Sequence, residues 1–163
     1  MENEIKNNKI LEMIKANKFI LYIISTIIVL IFLSINYFDY YQKKQNNKIS
    51  EQYIKAGIYL ALKDVEKSEI IYKEIILSKN HFYSLLSLNS LIENEIIKDN
   101  DEMLQLFDKV KNVQKNEEQK DLVLFKKALY LMNISKVDEG HKILKEIVSK
   151  NSLWKDISLE ILN

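Results

Sequence analysis

The sequence predicts an all-α protein: a single N-terminal transmembrane helix followed by a tetratricopeptide-like α-solenoid of antiparallel helix hairpins. Three observations lead there. One stretch of twenty residues carries no charge, the rest of the chain spaces its apolar residues three and four apart, and there is no proline and only two glycines. A sheet protein needs turn residues that this composition lacks, whereas long helices with short joints do not.

The uncharged stretch, Phe19 to Phe38, reads FILYIISTIIVLIFLSINYF. At about 1.5 Å per residue it covers the roughly 30 Å hydrocarbon core of a bilayer. Ser25, Thr26 and Ser34 can return their hydroxyls to carbonyls of the preceding turn, and Asn36 falls near the interface. Lys15 and Lys18 precede the span, and Asp39, Lys43 and Lys44 follow it. Phe19 and Tyr22 at one end face Tyr37, Phe38, Tyr40 and Tyr41 at the other, where amphipathic rings favour the headgroup level. A buried core helix of this length would need apolar partners on every side, and no other segment could supply them. A cleavable signal peptide would have a shorter apolar run and small residues before the cut, but here the run ends in bulky Asn36-Tyr37-Phe38-Asp39-Tyr40. The chain therefore divides into a short cytoplasmic tail (1–18, with Ile10, Leu11 and Ile14 at helical spacing), an uncleaved signal-anchor (19–38), a juxtamembrane connector (39–48) and a helical repeat domain (49–163). The connector's Gln42–Lys48 stretch has neither glycine nor proline, so the anchor helix can continue through it.

Beyond the connector, the spacing predicts helices at 49–63, 67–78, 82–98, 101–113, 118–133, 136–149 and 152–162. Asp64 stands before the second. Asp101 opens the fourth, with Asn100 ahead of it. Ser135 with Asp138, then Glu139, forms an imperfect capping box for the sixth. Laid over one another, the hairpins share a register. Ala56, Leu91 and Ala128 correspond in the first helices. In the second helices Ser68, Met103 and Gly140 correspond, then Tyr72, Phe107 and Leu144, then Ile75, Val110 and Ile147. The offsets are 35 and 37 residues, near the period of about 34 in tetratricopeptide arrays. Small residues fall where two helices of a hairpin approach, and large ones where the second helix fills the gap to the next hairpin. The usual Trp, Leu and Pro positions hold Gln52, Lys55 and Asn80 in the first repeat, while Tyr59 keeps the usual Tyr. Trp154, with Ile157, Ser158 and Ile161, opens a fourth repeat about a turn early. An irregular helical bundle is the competing arrangement.

With these features the chain resembles the YfgM-like ancillary subunits of the SecYEG translocon over nearly its whole length. Phe82-Tyr83-Ser84-Leu85-Leu86-Ser87-Leu88 is similar to that family's Tyr-small-x-x-Ala-Ser-Leu helix start. Lys98-Asp99-Asn100-Asp101-Glu102-Met103 is similar to its Asp-Lys-x-x-Leu-Glu-Lys-Ala turn, and Trp154 lies where the family often has an aromatic residue. The resemblance implies a periplasmic tetratricopeptide-like domain and an association with the translocon and with periplasmic chaperone traffic. Charge leaves orientation open, because Lys6, Lys9, Lys15 and Lys18 before the span balance Lys43, Lys44, Lys48 and Lys55 after it. The short tail and the resemblance favour a cytoplasmic N-terminus, an inner-membrane location and a periplasmic C-terminal domain.

Other function classes lose ground on composition. After the anchor, lysines and acidic residues are equal in number, and there is no arginine, so no basic stripe exists to neutralise a nucleic-acid backbone. Without cysteine there are neither disulfides nor thiolate metal sites. His81 and His141 stand sixty residues apart, outside any H-x-x-x-H or H-E-x-x-H spacing, with His81 at a joint and His141 facing solvent. Two glycines cannot build a phosphate-cradling loop, so Gly57 and Gly140 read as helix-packing positions. Asp99-Asp101-Glu102 and Glu117-Glu118-Asp121 sit at helix starts, where carboxylates complement the helix dipole. Asn133-Ile134-Ser135 has the form of a glycosylation sequon but reads as a loop. No catalytic residue, cofactor or metal site is expected.

The expected functional surface is the concave face built by the first helix of each hairpin. The candidate partner-binding residues are Tyr53, Leu60, Leu85, Leu88, Ile92, Ile96, Leu122, Phe125, Leu129 and Met132, with Ala61 beside them. Such a groove would accept an apolar helix, an unfolded segment or a second copy of the chain. The bland alternative is that the last helix around Trp154, or tight curvature, closes over these residues and makes them core. The expected role is a translocon subunit or chaperone-like adaptor for envelope clients, with a generic membrane-anchored scaffold in envelope assembly or division as the alternative.

Overall fold

The computed structural model describes residues 18–150 and 152–163. The N-terminal tail expected over residues 1–18, with Ile10, Leu11 and Ile14, lies outside the described residues apart from Lys18. Among those residues the backbone is entirely helical: α1 (Lys18–Ala61), α2 (Val65–Leu77), α3 (His81–Glu93), α4 (Asn100–Val113), α5 (Glu117–Asn133), α6 (Val137–Ser149) and α7 (Lys155–Leu162). Two units divide between Gln45 and Asn46, inside α1.

The first unit is the apolar part of α1. This helix is long and apolar enough to cross a membrane, and none of its apolar window is buried against protein. A core helix of a water-soluble domain would be mostly covered. Every side chain from Tyr22 to Lys48 is exposed. Three of its polar side chains bond within the helix: Thr26 Oγ1 donates to Tyr22 O (2.8 Å), Ser34 Oγ to Leu30 O (2.7 Å) and Asn36 Nδ2 to Phe32 O (2.8 Å). Such back-bonding is what hydrocarbon demands of a polar group, since no water is there to replace it. The connector stretch is helical throughout.

The second unit runs from Asn46 to Asn163. Consecutive helices from α2 to α7 pack on one another, and α2 also reaches α4. The last turns of α1 join through Tyr53, whose ring centroid lies 5.6 Å from that of Tyr72 and 5.9 Å from that of Tyr83. Asn80 Nδ2 donates to Asn46 Oδ1 at 2.7 Å, holding the α2–α3 joint to α1. One core cluster centres on Tyr72, Ile75, Leu91 and Phe107, and a second on Ala128, Leu144 and Ile147. Every position in the register of small and large residues, from Ala56 to Ile147, is buried. The opposite face of α1 keeps Ile54 and Ile58 exposed, as is Leu62 just past its end.

The helix starts are fixed by short polar side chains. Asp64 accepts from the Lys67 N–H, Asn80 from Tyr83, Asp99 from Asp101 and Glu102, and Asn116 from Gln119. Each such cap contributes about 1 kcal/mol. Asp99 rather than Asp101 therefore opens α4. The expected box at Ser135 is not formed: α6 starts after Lys136 with no side-chain cap, and Ser135 has φ 66°.

The ends of α1, α3 and α5 follow one pattern, which α2, α4 and α6 do not share. After α1, α3 and α5 the chain passes through a left-handed residue that is not glycine: Lys63 (φ 63°), Glu95 (φ 47°) and Ser135 (φ 66°). The next amide then reaches back to a carbonyl five residues earlier: Asp64 to Tyr59 (2.9 Å), Ile96 to Leu91 (3.0 Å) and Lys136 to Leu131 (2.8 Å). This is the Schellman arrangement, which satisfies carbonyls that the helix end would otherwise leave free. It explains why α3 ends at Glu93 and not at the expected residue 98. Ile96 and Ile97 continue the apolar spacing, but they are buried beyond the turn. Likewise α7 begins at Lys155, later than the expected 152.

Candidate partner-binding site

The first helix of each hairpin supplies the candidate residues except Ile96, which lies past the end of α3, and the structure separates them by cover. Leu88, Ile96 and Phe125 are buried at 0%, 4% and 6% exposure and belong to the core. Tyr53, Leu60, Leu85, Ile92, Leu122 and Met132 are half-buried. Leu129 is 40% exposed, and Ala61 is exposed as well. Tyr53, Leu60, Leu85 and Ile92 lean on the first core cluster, and Met132 on the second. The Tyr53 hydroxyl also lies 3.2 Å from Ser90 Oγ, tying α1 to α3.

Phe125 is covered from within the chain. Trp154, at the start of α7, stacks on it with centroids 5.4 Å apart and planes 28° apart. The turn that carries Trp154 is held by Glu118, whose Oε2 accepts from the Leu153 N–H (3.0 Å) and Ser152 Oγ (3.3 Å). Closure by the last helix therefore holds at this end of the face.

Between α3 and α5 the face stays open. A cleft of about 240 Å³ is lined by Asn89, Ile92 and Glu93 from α3 and by Lys126, Leu129, Tyr130 and Asn133 from α5. A second cleft of about 270 Å³ adjoins it toward the α3–α4 turn, with Leu91, Ile97, Met103 and Ile134 among its walls. Ile92, Tyr130 and Asn133 line both. Tyr130 is fixed in place: its ring centroid is 5.5 Å from that of Phe107, and its hydroxyl donates to Asn100 Oδ1 at 2.7 Å. Burial, and then the charge of Asp99, push its hydroxyl above the usual phenol range, so it remains a neutral donor. Asn89 Oδ1 is out of solvent and has no hydrogen-bond partner.

Of the ten candidates, Ile92 and Leu129 meet at the first cleft. The lining residues Asn89, Glu93, Lys126, Tyr130 and Asn133 lie outside the candidate set, which takes apolar positions of the concave-face register. Helical spacing held the signal, because Asn89 and Glu93 lie within one turn of Ile92, as Lys126 and Asn133 do of Leu129.

The remaining polar groups serve the fold. The His81 carbonyl accepts from Gln114 Nε2 at 3.2 Å, and His141 is half-buried on α6. The side chain of Asp121 is 3% exposed and bonds Lys150 Nζ at 2.9 Å, clamping the start of α5 to the end of α6. Asn133 is exposed at the last residue of α5. Among the described residues no group of His, Asp and Glu is placed to hold a metal ion. No family model, curated protein or solved structure matches this chain.

Proposed function

We propose that this chain is a membrane-tethered protein–protein interaction module. In this reading Phe19–Phe38 crosses the inner membrane with the N-terminus cytoplasmic, and Asn46–Asn163 is a tetratricopeptide-like array in the periplasm. Its partners are translocon subunits or envelope client proteins, and its role is that of an ancillary YfgM-like subunit or chaperone-like adaptor. It binds and does not catalyse.

The observation that carries the array reading is repetition of structure. The positions Ala56, Leu91 and Ala128 are all buried, and the same five-residue reach-back bond follows each of α1, α3 and α5. An irregular bundle has no reason to repeat both a packing position and the turn that follows it. The open cleft at Ile92 and Leu129 supports a binding role, since partly apolar concave surfaces are where repeat arrays meet their partners.

A reporter fused after Asn163 tests the orientation: activity only outside the cytoplasm is expected. Cross-linking and co-purification of the full chain in mild detergent test the partner, with translocon subunits the expected capture. Capture of a different envelope complex would move the reading to the scaffold role. A reporter active only in the cytoplasm would overturn the periplasmic assignment. For groove variants, Leu129→Lys is the suitable probe, because Leu88 is fully buried and a lysine there would disrupt the core.

A further inference from the structure

Resting on the reading that Phe19–Phe38 crosses the bilayer, we infer that one face of α1 pairs with the same face of a second copy of this chain, parallel and in register. The contact runs through Val29, Phe32 and Asn36 and, just beyond the span, Asp39 and Lys43. Spacing defines the face. Ser25, Val29, Phe32, Asn36, Asp39 and Lys43 follow one another at intervals of four and three residues. That alternation averages about 3.5 residues, the repeat that keeps one stripe of a helix turned toward a partner helix. All six are exposed in the single chain, and none of the apolar window of α1 is covered by protein. Polar groups set this stripe apart from the rest of the helix. The opposite face carries Ile23, Ile27, Leu30 and Phe38, which lipid tails accommodate without penalty. Off the stripe, Thr26 and Ser34 have one donor each, and both donors are spent on backbone carbonyls, Tyr22 O and Leu30 O. Asn36 differs from them. It spends one amide N–H on Phe32 O (2.8 Å), which leaves the other N–H and Oδ1 without a bond among the described residues. Where water is scarce, such a group favours a helix that can exchange hydrogen bonds with it.

The charges that follow the span are unmet as well. Every ion pair among the described residues lies between Asp64 and Lys150, so Asp39 and Lys43 have none, although they stand four residues apart on one face. These groups identify the occupant. Copies of one chain share one membrane orientation, so a second copy runs parallel and meets the first at equal depth. Asn36 then faces Asn36, and an amide carries both the donor and the acceptor that its twin needs. Asp39 of each copy lies one layer from Lys43 of the other, which gives two ion pairs related by the two-fold axis. A helix of different sequence would have to bring an amide and two opposite charges at these three depths; a second copy has them already. Val29 and Asn36 occupy the same position of successive repeats, the one where a β-branched residue favours two strands and a buried asparagine fixes the register.

The chain has no cysteine, so single cysteines report contacts in the full chain without background. Two differently tagged copies are expressed together, and disulfide formation is induced in the isolated membranes. Val29→Cys and Phe32→Cys are expected to give a mixed-tag dimer at about tenfold the yield of Ile27→Cys and Ser34→Cys on the opposite face. Asn36→Leu added to Val29→Cys is expected to lower the yield about fivefold, the worth of a hydrogen bond between membrane helices. Ser34→Leu in the same background is expected to change nothing. The double variant Asp39→Lys with Lys43→Asp keeps the net charge and pairs with itself as the wild type does. With the wild type it is expected to pair about threefold less, since like charges then meet. Equal yields on the two faces, no loss with Asn36→Leu, or indiscriminate pairing of the wild type with the charge-exchanged variant overturns the inference. Extraction of the membranes at alkaline pH separates this from failure of the span itself. A chain released to the supernatant refutes the crossing and the pairing together, whereas a retained chain with no face preference refutes the pairing alone.

Discussion

The first and last hairpins of the helical unit space their helices by opposite means. In the α1–α2 hairpin a large side chain sets the distance: Tyr72, 2% exposed, stands against Tyr53, with ring centroids 5.6 Å apart. A Cβ added to Gly57 would meet only the Tyr72 hydroxyl, at 3.9 Å, an ordinary contact. In the α5–α6 hairpin the backbones themselves approach. A Cβ on Gly140 would fall 2.8 Å from the Ala128 carbonyl and 2.6 Å from Met132 Cγ. The same residue type is thus spare in one hairpin and indispensable in the other. What differs is the bulk of its neighbour, which no inspection of the glycine alone reveals.

The sharpest way to break this contrast is to remove the spacer. Tyr72→Ala is expected to cost about 3–5 kcal/mol, as for other fully buried aromatic residues, measured by denaturant unfolding of the full chain in detergent. A loss under about 1 kcal/mol would show that the tyrosine is not what holds that hairpin. Next in size, Gly140→Ala forces backbone apart and is expected to cost about 1–3 kcal/mol. By contrast Gly57→Ala is expected to gain about 0.5–1 kcal/mol, since it replaces a helical glycine where there is room. Equal signs for the two glycine variants would erase the distinction.

The smallest effect is electrostatic and confined to the last hairpin. The hydrogen bond that Lys150 donates to Asp121, opposed by desolvation and aided by Glu146, raises the Lys150 pKa above its ordinary 10.5. A raised lysine contributes stability in full below the unfolded-state value and loses it as pH climbs through the folded one. The Tm advantage of wild type over Lys150→Met is therefore expected to be constant from neutral pH up to 10.5 and to shrink above it. An advantage that grows with pH in that range would refute the assignment.

Much of the fold was legible because packing leaves a period in the sequence. The register from Ala56 to Ile147 falls on buried positions, since small and large residues must recur where helices meet and where gaps are filled. The Asp64 start was legible from its residue type, whereas Asn80 was set aside as a departure from a repeat consensus, although it caps α3. The stops were not legible. Lys63, Glu95 and Ser135 adopt a conformation for which glycine is the usual sign, and the apolar spacing through Ile96 and Ile97 masked the end of α3.

The candidate site was legible only in part, for a related reason. Periodicity tells which way a side chain points from its helix, but not whether a later helix covers it. Phe125 pointed as expected and is covered by Trp154, while Leu129, one turn on, is not. The polar rim of Asn89, Glu93 and Lys126 escaped because each residue, taken singly, resembles an ordinary solvated position.

The reach-back bonds at the hairpin turns have one more consequence. Amides at loop positions ordinarily exchange their hydrogens with solvent within moments, yet those of Asp64, Ile96 and Lys136 are bonded to Tyr59, Leu91 and Leu131. Each can exchange only when its own hairpin opens. The chain therefore carries three built-in timers, one per hairpin, and the order in which they label would report which end of the helical unit yields first.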